Sequence, residues 1–400
     1  MGKVAELSFT DKELGERWSR VREDFWGDLK GQTRRALKML LERSMEIEVQ
    51  DLIGSPRWTH SLMRRTYRNG FYSRDLLTGL GWLTQLRVPR VRSGGIRFET
   101  LPRYLRRSQD VDQAVLGMFL AGVSTRRVEE ALRPLMGQRA VSAGTVSRIA
   151  KVLDKEVNQW HHRTLSDDYR YIILDGIYLK TKSPVHSRRR CILVAYGIRG
   201  DGVRELIDYR LARQSESQVA WECFLTSLSN RGLKGEQLLL AIVNGNRGLW
   251  NALSLIWPDV PRQRCWAHKL RNVANYVPRR LQQACMAQTR DIYAASSQSE
   301  AIKAYKVWEK IWKPIVPKAV ACLEQDLEDL LHFFIAPKSM WVKLRTTNII
   351  ERVFREVRRR TRPMSCFQNT QSVDRIIYAI FSRQNNLWRE KPLRQITQNS

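Results

Sequence analysis

The chain has 400 residues, 43% of them hydrophobic and 13 of them Trp, which is enough apolar material for a sizeable core and excludes global disorder. Its 69 Lys and Arg against 40 Asp and Glu give a formal net charge of +29. Such an excess strains a compact protein unless a polyanion offsets it, and phosphate-rich nucleic acid is the first candidate.

At roughly 100–200 residues per domain, the length corresponds to two to four domains. No internal repeat or low-complexity tract is present, and no run of apolar residues is long enough to cross a membrane. The opening Met1-Gly2-Lys3-Val4-Ala5-Glu6 has no apolar core of a signal peptide, and Glu6 stands where a myristoylation motif needs Ser or Thr.

Residues 1–85 read as mainly helical, with Leu37, Leu40, Leu41 and Met45 at helical spacing. Arginines alternate with aromatics at Arg57-Trp58, Arg64-Arg65 and Tyr67-Arg68. The basic segment Leu86 to Gly95 mixes alternation with Pro and Gly, so it reads as a short strand pair or a linker, either solvated or in contact with phosphate. Residues 108–158 are helical again, with Val111, Val115, Met118 and Phe119 as an apolar stripe. Ser124 caps one following helix, and a second cap falls in Val141 to Ile149. Short helices with tight polar turns fit a helix-turn-helix module, and equally a small helical bundle. On the first reading, Arg126, Arg127, Ser142, Thr145, Ser147 and Arg148 are candidate DNA contacts.

Near residue 169 the composition shifts. Tyr171 to Leu174, Cys191 to Tyr196 and Val203 to Leu211 read as three strands at hairpin spacing. A helix over Gln218 to Leu228 ends at Arg231-Gly232, followed by a strand at 238–243, a helix at 248–256, a short strand at 261–265 and a helix from Ala267. The order β-β-β-α-β-α-β-α is the pattern of the ribonuclease H-like fold, an α/β core with a mixed sheet and flanking helices. Residues 279–340 carry helical periodicity alone. A final helix begins near Thr347, with Ile350, Val353, Phe354 and Val357 on its core face.

Two carboxylates draw interest. Asp175 sits where the first strand's apolar run breaks, either projecting from the sheet or forming an Asp-Gly hairpin turn. Glu351 stands three residues after Asn348, close to a capping box, yet its helix carries Arg352, Arg355, Arg358, Arg359 and Arg360 along its polar side. Such a helix could lie along DNA and deliver one carboxylate to a metal, with Arg355, Arg359 and Arg360 as DNA contacts. Phosphodiester chemistry calls for carboxylates because hard oxygen ligands suit paired Mg²⁺ ions. Cys265 and His268 have half of a zinc spacing, but no second Cys/His cluster accompanies them among the six cysteines and six histidines. They read as a pair near an active site or as packed core. The scattered cysteines (Cys191, Cys223, Cys265, Cys285, Cys322, Cys366) read as reduced thiols.

Several segments together resemble the mutator-type bacterial insertion-sequence transposases of the DDE transposase group. They are Met118 to Val128, Ser142 to Ile149, Leu174 to Leu179, Gly197 to Glu205, Trp221 with Arg231-Gly232-Leu233, Cys265 to Asn272, and Arg345 to Glu351 followed by Arg359 to Arg362. The match runs from roughly residue 30 to 390. The resemblance implies a ribonuclease H-like core (166–278, completed by 341–400, the Glu351 helix and a C-terminal tail) and an all-α insertion at 279–340. Before the core it implies a helical region for DNA binding or dimerisation (1–85) and a basic linker with a helix-turn-helix-like domain (86–165). It implies Mg²⁺-dependent cleavage and joining at element ends, with Mn²⁺ able to substitute. The partners are then terminal inverted repeats and target DNA, the protein acts as a homodimer on DNA, and the setting is the bacterial cytoplasm and nucleoid.

By the same resemblance, Asp175 and Glu351 match the first and last catalytic, metal-binding carboxylates, and Cys265 and His268 match residues near them. One position departs. Asn244 stands where the second Asp is expected, and Gln237 to Leu249 holds no Asp or Glu. Asn offers a metal a carbonyl oxygen but no charge, so activity is expected to fall. A decayed copy, an introduced substitution, or another ligand such as Asp201 or Asp259 would each account for it.

Overall fold

A computed structural model describes residues 10, 12, 25–59, 61–137, 141–182, 187–212, 215–362 and 370–393, which divide into two units, 1–149 and 150–400. His60, His186 and Cys366 lie outside the described residues.

In the first unit, helix α1 (Phe25–Ile53) buries Met45, Val49 and Ile53, with Leu37 and Leu41 partly buried on the same side. Fourfold spacing selects this stripe, so Leu40, expected within it, points outward and is half exposed. Strands β1 (Arg68–Thr78) and β2 (Gly81–Val91) form an antiparallel hairpin whose apolar end packs Leu76, Leu83, Leu86 and Val88 against α1. Residues 68–85 are therefore strand and turn, not helix. Gly79 and Gly81 break helical continuity, and the flanking Phe71, Tyr72 and Trp82 favour extended backbone. The expected boundary at 85/86 falls inside β2. Helices α2 (Gln109–Leu120), α3 (Thr125–Met136) and α4 (Ala143–Ala150) follow. Ser124 caps α3 as expected, accepting a bond from the Arg127 amide. Ser142 does the same for the Thr145 amide at 3.3 Å.

The second unit begins with α5 (Leu153–His162) and contains a five-stranded mixed sheet. Strands β3 (Tyr169–Lys182), β4 (Ser187–Arg199) and β5 (Arg204–Leu211) form an antiparallel meander. Helix α6 (Gln218–Asn230) crosses to β6 (Leu240–Val243), and α7 (Arg247–Ile256) crosses to β7 (Arg262–Arg264), which leads into α8 (Trp266–Ala274). The spatial order is β5-β4-β3-β6-β7, with β6 parallel to both β3 and β7. This is the α/β order expected from the sequence. Leu240 to Val243 are buried on both faces, as a central parallel strand requires. One face of the sheet packs Ile172, Leu174 and Leu193 against Trp221, Phe224 and Leu228 of α6 and Leu249 and Leu253 of α7.

A helical stretch follows: α9 (Arg279–Tyr293), α10 (Gln298–Trp312), α11 (Pro317–Glu324) and short turns to Leu344, with no strand among its described residues. Helix α12 (Asn348–Thr361) buries Ile350, Val353, Phe354 and Val357, the expected face. The segment beyond it, expected as a tail, contains a 20-residue helix, α13 (Thr370–Arg389), lying against the edge strand β5. Its inward face carries Arg375, bidentate to Asp154 at 2.6 and 2.8 Å, and Asn385, both polar, and these obscure its amphipathic pattern. No described helix is long and apolar enough to cross a membrane. The five described cysteines are free.

Asn385 accepts from the Leu206 amide at 2.8 Å and donates to the Leu206 carbonyl at 3.1 Å, so one side chain satisfies an otherwise unpaired stretch of sheet edge. Asn385→Leu leaves both groups buried and unpaired, at a cost of roughly 1–3 kcal/mol. The expected outcome is a lower thermal midpoint and faster hydrogen exchange at the Leu206 amide. Unchanged exchange there would show that the edge is held by something else.

Candidate active site

The parallel pairing of β3 and β6 ends at Leu174 opposite Val243. The next residues on the two strands are Asp175 and Asn244, placed where the carboxyl ends of parallel strands open into a crevice. Strand β3 runs on past Asp175, which pairs with Val194, and Gly176, which pairs with Leu193, so the Asp-Gly hairpin alternative is set aside. Asp175 is 3% exposed. Its Oδ1 accepts from the Gly176 amide and from Asn244 Nδ2, both at 2.8 Å, while its buried Oδ2 has no hydrogen-bond partner.

Asn244 Nδ2 also donates to Glu216 Oε1 at 3.2 Å, and Asn244 Oδ1 accepts from the Asn246 amide at 3.0 Å. The reverse orientation would set oxygen against two carboxylates and NH₂ against N–H, so these partners fix the amide. In this arrangement the Asn244 donor faces the carboxylates, and its oxygen accepts from the Asn246 amide. Gly245, at φ +92, turns the chain so that Asn246 caps α7 through the Leu249 amide at 3.0 Å.

Glu216 was not among the residues the sequence singled out. It lies outside any strand, immediately before Ser217, the N-cap of α6, and no motif spacing marks it. The one local signal is Gly176, where an added Cβ would come within 3.0 Å of Glu216 Oε2.

Cys265 and His268 have separate roles. Cys265 is fully buried at the start of α8. Its amide donates to Val243 O at 2.9 Å, and its Sγ accepts from the Thr347 amide at 3.2 Å. With the Trp266 amide on Arg345 O, it ties the start of α12 to the ends of β6 and β7. His268 faces the carboxylates. One donor atom each of Asp175, His268 and Glu351 lie within 4.8 Å of one another, and Cys265 is not of that group. A shared zinc half-site is therefore not formed. His268 Nδ1 is buried without a partner, and burial, reinforced by Arg271 and opposed by Glu351, holds the ring's pKa below its ordinary value. The ring is thus a neutral nitrogen donor at pH 7.

Glu351 lies in the first turn of α12. The capping-box alternative does not hold, because Thr347 is the cap, without a side-chain bond, and Asn348 is already helical. Its carboxylate instead lies beside Asp175 and His268, with Arg358 Nη1 3.7 Å away. Burial raises the Asp175 carboxyl to about 7; the Gly176 and Asn244 bonds oppose this, and the charges of Glu216 and Glu351 add to it. Burial raises Glu216 as well, against the Asn244 bond.

Among the candidate DNA contacts, Arg126, Arg127, Ser147, Arg148, Arg355 and Arg359 are exposed. Ser142 is exposed but engaged in capping, and Thr145 is buried between Ser142 and Arg148 Nη2, which donates to it at 3.0 Å. Arg360 is 5% exposed and paired with Glu356 at 2.6 Å, unlike the exposed arginines of the same helix. Asp201 stabilises the β4–β5 turn by accepting from the Val203 amide, and Asp259 lies exposed before β7; neither joins the described cluster.

Fold and site thus define an α/β protein with a carboxylate and imidazole cluster at the carboxyl ends of its parallel strands, a donor set suited to divalent cations. The family model described as "Transposase, Mutator family" matches residues 12–391, so the chain belongs to the Mutator family of transposases. It is 32% identical to the transposase for insertion sequence element ISRM5 of Rhizobium meliloti (strain 1021), over 89% of this chain and 88% of that one. It is 34% identical to the IS406 transposase of Burkholderia multivorans and 30% identical to the IS256 transposase in transposon Tn4001 of Staphylococcus aureus, each over 88% of this chain and 90% of the relative.

Because Asp175 is raised from 3.8 to about 7, the folded state binds its proton more tightly than the unfolded chain. That stabilising contribution is complete below about pH 4 and is lost as pH rises through about 7. In chelator, Asp175→Asn is expected to melt above the parent at about pH 8, with the gap closing towards about pH 5. A gap that does not change with pH would contradict the raised carboxyl.

Proposed function

We propose that this chain is the transposase of a bacterial insertion sequence. It binds the terminal inverted repeats of its element, cuts 3′ ends with divalent-metal assistance and joins them to target DNA. The observation that carries this reading is the convergence of Asp175, His268 and Glu351, from β3, α8 and α12, within 4.8 Å. The sheet order β5-β4-β3-β6-β7 supports a ribonuclease H-like core of the DDE type, with residues 279–340 as its all-α insertion. The relatives named as insertion-sequence transposases support element ends as the substrate.

The cluster fits Mg²⁺ or Mn²⁺. Asp175 Oδ2 is buried and unsatisfied, Glu351 brings a second carboxylate, and the neutral His268 nitrogen favours Mn²⁺ as a substitute. A divalent ion held by these residues would supply Lewis-acid activation of the attacking oxygen and charge stabilisation of the leaving oxygen. The protein's part is positional. Asn244 Nδ2 fixes the rotamer of Asp175, Cys265 holds the start of the helix bearing Glu351, and Asp175 gives up its proton when a cation loads. The exposed Arg355 and Arg359 on α12, and Arg126, Arg127, Ser147 and Arg148 in the helical module, contact phosphates. A homodimer holds two ends together, and the protein works on the bacterial nucleoid.

A second reading, a catalytically silent DNA-binding protein, is favoured by Asn244, which turns a donor towards the carboxylates where a charged ligand is expected. Cleavage of a labelled element-end duplex in Mg²⁺ or Mn²⁺ separates the two. The parent is expected to nick slowly, Asn244→Asp to nick about tenfold faster or more, equivalent to about 1.4 kcal/mol of barrier, and Asp175→Asn not at all. Binding without nicking by both the parent and Asn244→Asp would establish the silent reading. No preference for end sequence over random DNA would sink both.

A further inference from the structure

A further carboxylate lies beside Asn244. Glu216 comes from the segment leading into α6, and its Oε1 accepts from the same Asn244 Nδ2 that binds Asp175 Oδ1. One nitrogen, at 2.8 Å from one oxygen and 3.2 Å from the other, therefore sits between two carboxylates. Holding two anions together around one positive pole is what a cation does, and here a neutral amide does it weakly. The position of Glu216 is built into the fold. Its carbonyl accepts from Asn246 Nδ2 at 3.2 Å, and the next residue, Ser217, caps α6 through the Ala220 amide at 3.3 Å. Gly176 leaves open the space its carboxylate occupies, since a Cβ there would meet Glu216 Oε2 at 3.0 Å and Cδ at 3.2 Å. Beside it, Asp175 is 3% exposed and keeps its buried Oδ2 without any hydrogen-bond partner, an acceptor left open within a cluster of acceptors.

We propose that Glu216 is a ligand for divalent cation in this site, sharing Asp175 with the His268 and Glu351 side and supplying the negative charge that Asn244 does not. Asp175 then serves two neighbourhoods: His268 and Glu351 on one side, Glu216 and the Asn244 amide on the other. Two carboxylates balance one divalent ion; a third lowers from +2 to +1 the excess that a second ion brings, and a substrate phosphate can balance the remainder. This inference rests on the reading of the site as a metal-assisted nuclease centre, and it assigns Glu216 a role within that centre.

The test is Mn²⁺ binding to the full-length chain without DNA, by calorimetry and by loss of the free-ion paramagnetic signal. Glu216→Gln keeps the shape and the Asn244 bond but removes the charge, and is expected to weaken Mn²⁺ binding about tenfold or more or to remove one equivalent. Asn244→Asp in the Glu216→Gln background is expected to restore binding, which a purely structural Glu216 would not allow. Thermal midpoints in chelator establish that the variants fold, and Glu216→Asp, which retains the charge, is expected to bind better than Glu216→Gln. If Glu216→Gln binds as the parent does while Asp175→Asn loses the ion, the role of Glu216 is overturned and the metal site stands. If Asp175→Asn also binds as the parent does, the metal site itself falls. Loss of binding in Glu216→Gln without rescue by Asn244→Asp would overturn the claim that Glu216 stands in for position 244.

Discussion

A carboxylate buried in the central strand of an apolar sheet is the constraint to which the second unit is fitted. Asp175 follows four residues, Tyr171 to Leu174, that are all buried, and it is itself 3% exposed. An unpaired ionised carboxylate at such a site is too costly to keep charged, and its environment pushes its pKa up to about 7. The surroundings meet part of that cost. The Gly176 amide and the Asn244 amide each give Oδ1 a hydrogen bond, and nothing reaches Oδ2. The remaining deficit is specific in position: the buried Oδ2 is an acceptor without a protein donor. A buried structural carboxylate has hydrogen-bond partners on both oxygens, as Asp208 does with Arg231 and His161 in the same unit. The contrast between Asp208 and Asp175, both buried, separates a carboxylate whose two oxygens are bonded from one with an oxygen left without a hydrogen-bond partner.

The Asn at position 244 changes the electrostatics more than the geometry. The side chain still leaves the end of β6 next to Asp175, and the β6–α7 turn is held by Gly245 and Asn246. What changes is which group faces inward. An aspartate there would add repulsion to Asp175, Glu216 and Glu351, and would need cations to gather. The asparagine amide lowers that repulsion and lets the cluster exist without a cation, at the cost of a weaker attraction for one. With Asn at position 244 the cluster is partly self-satisfied.

Most of the architecture was readable because it rests on local patterns. The β-β-β-α-β-α-β-α order, the Ser124 and Ser142 caps, and the buried stripe of α12 all follow from short-range periodicity. The elements that escaped did so for identifiable reasons. The β1–β2 hairpin carries arginines and aromatics on an exposed surface, where Arg57 and Arg87 stack on Phe71, and so lacks clean alternation over its outer half. Helix α13 hides its amphipathic pattern because Arg375 and Asn385 face inward and bond there. At the site, Asp175 and Glu351 were marked by resemblance, but Glu216 belongs to no strand and no spacing. Its place is set by where α6 begins, and only the folded chain brings it to Asn244. Likewise, sequence alone could not divide Cys265 from His268, whose side chains serve different neighbours although they lie within one turn.

Glu351 illustrates how packing can set chemistry without a dedicated hydrogen bond. It follows Ile350 directly on α12, at the border of the buried face formed by Ile350, Val353, Phe354 and Val357. That face fixes the helix's rotation about its own axis, and Cys265 fixes its starting point through the Thr347 amide. With rotation and origin both set, the carboxylate is directed towards Asp175, and its partner among the described ion pairs, Arg358, lies two turns on at 3.7 Å. Further along the same helix, Glu356 binds Arg359 and Arg360, so the acidic residues of α12 divide between one that neutralises the helix's own cations and one directed towards Asp175. The arginines left exposed, Arg352 and Arg355, have no such internal partner among the described ion pairs and add to the protein's net charge of +29 beside a site that is itself acidic. The helix thus carries exposed positive charge along one side and, in its first turn, a carboxylate that belongs to an acidic crevice.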